Sequence, residues 1–158
     1  MKISSDDIVK INQLYPSMRE DAKCFLCEAA DLNAFIFSGL RTYEEQTKLY
    51  SQGRTTTGDI VTNARPGQSW HNFGIAMDVV FKNSVGEWTW DDKEMWDELG
   101  KLGEKHRFHW GGRFRGFVDL PHFDRNYGFS LEELNEIYSE HEQLSDVWTA
   151  INNYGFKA

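Results

Sequence analysis

Apolar positions along this chain recur at two spacings, and the switches between them outline a fold. After Ser17, the residues Met18, Ala22, Phe25, Leu26 and Ala29 repeat every three or four positions, the period of a helix with one buried face. Phe35 to Phe37 reads as a short buried strand. Tyr43 to Ser51 returns to helical spacing and ends before Gly53. Residues 54–70, with Gly58, Pro66 and Gly67, read as loop, and Ala76 to Phe81 as a strand. Asp91 introduces a helix carrying Met95, Trp96, Leu99 and Leu102, with Gly103 as its stop. Phe108-His109-Trp110 is short and extended, Gly111-Gly112 turns the chain, and Phe117 to Phe123 reads as the last strand. Two short helices follow, near 131–139 and 141–152. Ser17-Met18-Arg19-Glu20, Thr42-Tyr43-Glu44-Glu45 and Ser130-Leu131-Glu132-Glu133 each have the hydroxyl and carboxylate spacing of a capping box. This order predicts an α+β fold: a small, mainly antiparallel sheet flanked by helices.

A chain of 158 residues with 40% hydrophobic residues suits one compact domain over 1–158 with a real core. The six Trp residues either fill that core or line a groove for flat, sugar-like surfaces. A net charge of −8 repels phosphate backbones and argues against a nucleic-acid partner. The basic residues Arg107, Arg113, Arg115 and Arg125 form either a solvated rim or a means of orienting an anionic substrate. No apolar run reaches membrane-spanning length, and the start MKISSDDIVK lacks the apolar stretch of a signal peptide. The expectation is synthesis in the cytoplasm without membrane insertion. Cys24 and Cys27 fall inside a helical pattern with no second pair, so they read as two ordinary thiols.

Two segments carry the chemistry. Ser69-Trp70-His71-Asn72-Phe73-Gly74-Ile75-Ala76-Met77-Asp78 offers an imidazole and a carboxylate, and so does Asp119-Leu120-Pro121-His122. Two His and one Asp can hold zinc and leave its fourth position open for water. The second Asp, three residues before a His, is then placed to act as a base on that water. Gly74 permits a tight passage between a loop carrying His71 and a strand carrying Asp78. In a flat strand Asp119 and His122 would point to opposite faces, so a turn or bulge at Pro121 is needed for them to converge. Taken singly, each motif also fits a satisfied loop or strand His beside a surface Asp. A tetrahedral oxyanion needs a further positive partner, and Arg41, between a strand and a capped helix, is the candidate. Its alternative is a structural salt bridge to a helix end.

The stretches Ser38-Gly39-Leu40-Arg41-Thr42 with Gln46, Ser69-x-His71-x-x-Gly74-x-Ala76-x-Asp78 and Asp119-x-x-His122 resemble the VanY-like zinc peptidases of peptidoglycan. That family includes D-Ala-D-Ala carboxypeptidases and the L-alanyl-D-glutamate endopeptidases of bacteria and phages. Gln52-Gly53-Arg54-Thr55-Thr56, the stretch Val61 to Gly67 and Trp110-Gly111-Gly112 look like the endopeptidase branch, as does Asp rather than Glu at position 119. The resemblance covers about residues 35–124, leaving 125–158 as helices that cap the domain. It implies a VanY/Hedgehog-like fold with zinc at the sheet, held by His71, Asp78 and His122. Asp119 becomes the base, Arg41 the oxyanion or carboxylate partner, and Ser69, Gln46 and Trp110 candidates for binding substrate. The implied substrate is the peptidoglycan stem peptide, and the implied actor is a monomeric phage or prophage endolysin released through a holin pore.

His109 and Arg113 stand where relatives often carry acidic residues, which suggests a more basic groove here. Strand alternation sends His109 away from Phe108 and Trp110 and argues against its being a ligand. His106 and His141 have no motif context and read as surface residues. Three rival functions remain: a D-Ala-D-Ala carboxypeptidase, a non-catalytic zinc-containing wall-binding module, and a nucleic-acid binder using the turn near Arg113.

Overall fold

A computed structural model describes residues 3–91 and 93–156. The chain divides into two compact units, Met1–Gly39 with Ala76–Arg125, and Leu40–Ile75 with Asn126–Ala158.

The first unit holds the sheet. Strands β1 (Ala34–Ser38), β2 (Ala76–Lys82), β5 (His122–Asp124) and β4 (His109–Trp110) lie side by side in the order β1-β2-β5-β4. A two-residue strand, β3 (Trp88–Thr89), pairs with the far end of β2. Every pairing is antiparallel. Because side chains alternate, the register sorts the residues onto two faces. Ile36 opposes Val79, and Met77 opposes Phe123, which opposes Trp110. All of these are buried. Helices α1 (Ser5–Gln13), α2 (Arg19–Glu28) and α4 (Lys93–Lys105) complete the unit. Phe25 of α2 packs its ring 4.9 Å from Phe123, and Trp96 of α4 lies 4.5 Å from Phe81. Burying each such ring stabilises the fold by roughly 1.5–3 kcal/mol.

The other face carries Asp78 opposite His122, Ala76 opposite Asp124, and Asp124 opposite His109. Edge strand β1 is irregular there. Its register slips between Ile36 and Ser38, so Phe37 is the extra residue of a bulge facing Asp78. Helix α1 holds this edge. Ile36 donates its amide to Asp7 Oδ1 at 2.8 Å, and Lys10 Nζ donates to the Ile36 carbonyl at 2.6 Å. These bonds occupy the exposed edge of the sheet.

The second unit contains α3 (Tyr43–Ser51), a 3-10 turn at Trp70–Phe73, α5 (Leu131–His141) and α6 (Leu144–Tyr154). Tyr43 stacks on Tyr138 at 4.2 Å and donates its hydroxyl to Asn135 Oδ1 at 2.8 Å. Trp148 donates its indole N–H to the Phe73 carbonyl at 2.8 Å. Capping boxes close the starts of α3 at Thr42 and α5 at Ser130, as their spacing predicts.

Four expectations are corrected. Ser17 is not the N-cap of α2, because it lies inside a 3-10 turn at Pro16–Met18 that runs straight into that helix and leaves Met18 in the cap position. Gly103 does not stop α4, which continues to Lys105; a Cβ at Gly103 would lie 2.3 Å from the Phe123 ring, so the glycine serves packing. Phe117 to Phe123 is not a strand, since regular pairing begins only at His122. Phe37 is about half exposed, because the bulge turns it off the buried side. Helix α1 has no counterpart in the sequence reading. Cys24 and Cys27 are exposed free thiols on α2. Among the described residues no helix is long and apolar enough to cross a membrane.

Candidate metal centre

Each candidate ligand is placed by a local device. His71 is buried in the 3-10 turn Trp70–Phe73, which ends at Gly74 with φ +69°, the left-handed conformation that glycine adopts without strain. The His71 carbonyl accepts the amides of Arg41 and Gly74 at 3.0 and 3.3 Å. Asn72 adds two ties, donating to the Arg41 carbonyl at 2.9 Å and accepting the Gly67 amide at 3.1 Å. A loop with a tight glycine passage leading into a strand is what the sequence suggested for this segment. Asp78 is half-buried on β2, opposite His122.

His122 opens β5 directly after a turn. Its amide donates to the Asp119 carbonyl at 3.2 Å, across Leu120 and Pro121. This is the turn that the Asp-x-x-His spacing requires, and it keeps a trans proline. The turn is clamped from below. Trp110 donates its indole N–H to the Leu120 carbonyl at 2.8 Å. A Cβ at Gly100 or at Gly112 would fall 2.3 Å from the Trp110 ring, so those two glycines make room for it. The Gly111 carbonyl accepts the Phe114 and Asp119 amides at 3.2 and 3.0 Å, and a Cβ at Gly111 would lie 2.2 Å from the Asp119 carbonyl oxygen.

His71, Asp78 and His122 each present a ligand atom, and these atoms all lie within 4.8 Å of one another. Tetrahedral zinc with bonds of ~2.1 Å sets its ligand atoms ~3.4 Å apart. His122 Nδ1 and Asp78 Oδ1 are 3.4 Å apart. The opposite edge of the same imidazole, Nε2, lies 3.2 Å from Asp124 Oδ2. If Nε2–H donates to Asp124, the Nδ1 lone pair faces a carboxylate, an arrangement that requires a cation or an extra proton between them. Burial alone would lower the pKa of His122; the hydrogen bonds to Asp124 and Asp78 outweigh it and push it up to about 10. The donor set therefore fits a divalent metal, which would displace that proton.

Asp124 is the residue the sequence reading missed. It is buried, with one oxygen on His122 Nε2 and the other on His109 Nδ1 at 3.1 Å. Burial works against its charge, yet the two imidazoles hold its pKa below the usual range. Strand alternation carried the signal, because two residues beyond a ligand His on a strand lies the same face. His109 is exposed, as alternation predicts, and its bond to Asp124 raises its pKa.

Arg41, half-buried, donates from Nη1 to Gln46 Oε1 at 3.0 Å. Gln46 is fully buried and donates to the Ala64 carbonyl at 2.8 Å, so both ends of its amide are occupied. Ser69 begins the turn that carries His71. Of the basic residues near the second motif, Arg107 and Arg125 both pair with Asp21, and Arg113 pairs with Glu104.

Comparison with known proteins decides the family. The chain is 35% identical over 123 residues to the peptidoglycan L-alanyl-D-glutamate endopeptidase CwlK of Bacillus subtilis, spanning 72% of this chain and 74% of that protein. The chain belongs to the VanY-like peptidase family. A sequence profile described as D-alanyl-D-alanine carboxypeptidase matches residues 62–125, which include Asp78, Asp119 and all of β5. An L-alanyl-D-glutamate peptidase of a Listeria phage is 26% identical over 126 residues, 78% of this chain and 42% of that protein. Among solved structures, the L-Ala D-Glu endopeptidase ChiX of Serratia marcescens shares the fold, with a TM-score of 0.56 at 16% identity over 80% of this chain and 91% of its own. As a member of this family, the protein is a peptidase.

Proposed function

We propose that the protein is a zinc-dependent peptidoglycan hydrolase that cuts the L-alanyl-D-glutamate bond of the stem peptide and works as a phage or prophage endolysin. The observation that carries the chemistry is the convergence of His71, Asp78 and His122, with the second edge of His122 fixed by Asp124. The choice of bond rests on the similarity to CwlK and on Asp at position 119. The existence of a phage relative supports the endolysin role, and release through a holin pore is part of the proposal. Residues 1–158 act as a single peptidase domain, functioning as a monomer on the stem peptide.

His71, Asp78 and His122 would hold zinc, which when bound would supply Lewis acidity for a scissile carbonyl and lower the pKa of an attacking water. The protein's own groups divide the remaining work. Asp119, held three residues before His122 by the turn, takes the proton of the water and returns it to the departing amine. Arg41, its backbone bonded to that of His71 and its guanidinium to Gln46, steadies negative charge on the substrate. Asp124, on Nε2, holds the His122 ring with Nδ1 turned toward Asp78. Ser69, which opens the turn carrying His71, completes the substrate-binding candidates; Trp110 does not join them, because it is buried on the helix-covered face with its indole N–H on the Leu120 carbonyl and so supports the turn that carries His122.

Digestion of purified muropeptides, read by mass spectrometry, tests this reading. The wild type releases peptide at L-Ala, while chelator-treated protein and Asp119→Asn release none. Loss of a terminal D-Ala would instead assign the carboxypeptidase reaction, and turnover that survives chelation would remove the metal from the mechanism.

A further inference from the structure

The face of the sheet that bears Asp78 and His122 continues beyond them as an aromatic surface. The β1 bulge pairs Ser38 with Asp78 and leaves Phe37 as the extra residue beside that pair, on a strand that neighbours β2 at ~4.8 Å. Phe37 packs edge-on against Trp88 at 5.1 Å and against Trp90 at 5.8 Å. Trp88 opposes Lys82, four residues or ~13 Å along β2 from Asp78. The Lys82 ammonium sits 4.5 Å from the Trp88 ring and 4.8 Å from the Phe35 ring. Phe37 and Trp90 keep 47% and 48% of their surface exposed, although large aromatic rings normally bury most of theirs. An exposed aromatic cluster continuous with a catalytic face marks a binding surface.

We propose that Phe37, Trp88 and Trp90 form a subsite that stacks an N-acetylated pyranose of the glycan strand to which the stem peptide is attached. This rests on the proposed function, in which the scissile bond follows the first amino acid of the stem. That amino acid is joined through a lactyl group to the sugar, so the sugar lies only about two residue lengths, ~7 Å, from the bond being cut. A sugar at that distance from an ion held by Asp78 reaches the Phe37 end of the cluster. The apolar face of a pyranose matches an aromatic ring, and Lys82 supplies a donor at the cluster edge for hydroxyl or acetamido oxygens. The neutral sugar also suits a strongly acidic protein, which would repel a polyanion.

Two measurements test the subsite. The first is the preference of the enzyme for a disaccharide-linked stem tetrapeptide over the same tetrapeptide without sugar. The wild type prefers the glycosylated substrate, and Trp90→Ala and Phe37→Ala each cut that preference about tenfold. The second is binding of a peptide-free probe, the tetramer of β-1,4-linked N-acetylglucosamine, followed by calorimetry. Its affinity falls about tenfold in both variants and is largely kept in Trp90→Tyr, a rescue that a folding defect would not show. Tyr154→Ala, which removes an exposed ring outside the cluster, changes neither reading. Equal preference or equal binding in wild type and alanine variants overturns the subsite, as does failure of the wild type to bind the tetramer. If the wild type binds the tetramer through Trp90 but cuts elsewhere than at L-Ala, the assigned bond falls and the subsite stands.

Discussion

The two faces of one sheet meet different demands. On the face covered by helices, Ile36, Met77, Val79, Phe81 and Phe123 are all buried, and glycine at position 103 lets α4 approach Phe123. On the other face the same strands present Phe37, Asp78, Lys82, His122, Asp124 and His109. A period of two keeps the sets apart, so a change in one is felt as stability and a change in the other as chemistry. The contrast teaches that the site needs a rigid reverse side: each ligand-bearing position on β2 and β5 has a buried apolar neighbour one residue away.

The comparison breaks most completely at Asp119, the proposed base. Asp119→Asn lowers kcat by about 10²–10⁴-fold while leaving thermal stability and metal content close to wild type, measured by muropeptide turnover beside metal analysis. The mirror experiment on the covered face is Phe123→Ala, expected to cost about 3–5 kcal/mol in denaturant unfolding. A smaller effect sharpens the boundary between faces. Asp124→Asn keeps the fold but weakens metal binding by about 10–100-fold, because His122 loses the partner that sets its tautomer; competition with a chromogenic chelator reads this directly.

The smallest effect lies at the rim, where His109 meets Asp124. The His109 pKa measured by NMR lies above the ordinary ~6.5 and drops in Asp124→Asn. The folded-state pKa is the raised one. The pair therefore contributes its full stability below the ordinary His range and loses it as pH rises through the raised value. His109 is more than half exposed, so solvent screening keeps that contribution small.

Much of this arrangement is legible in the sequence. Helical spacing placed Met18, Ala22, Phe25, Leu26 and Ala29 in the core, where all five are buried. The two motifs named His71, Asp78 and His122, whose side-chain donor atoms lie within 4.8 Å of one another. What escaped depends on partners remote in sequence. Helix α1 is mostly polar on its surface, and its place is secured by Asp7 and Lys10 on the Ile36 backbone, which no local pattern announces. The shortness of β5 has a similar cause. Phe117 and Val118 look like strand residues but are exposed, because the chain is drawn into a loop by the bonds at Gly111. The role of Asp124 emerges only once β4 brings His109 to its second oxygen.

The loop from Phe114 to Val118 leaves and returns at one place, since the Gly111 carbonyl receives both its first amide and that of Asp119. Beside it, the Phe114 ring stands 5.8 Å from that of His122. A segment closed at its base in this way is a replaceable cassette. Lengthening it costs only ~0.6 kcal/mol per doubling, because closure entropy grows slowly with length. Grafted sequences at 114–118 can therefore reshape the approach to His122 while the turn beneath stays fixed.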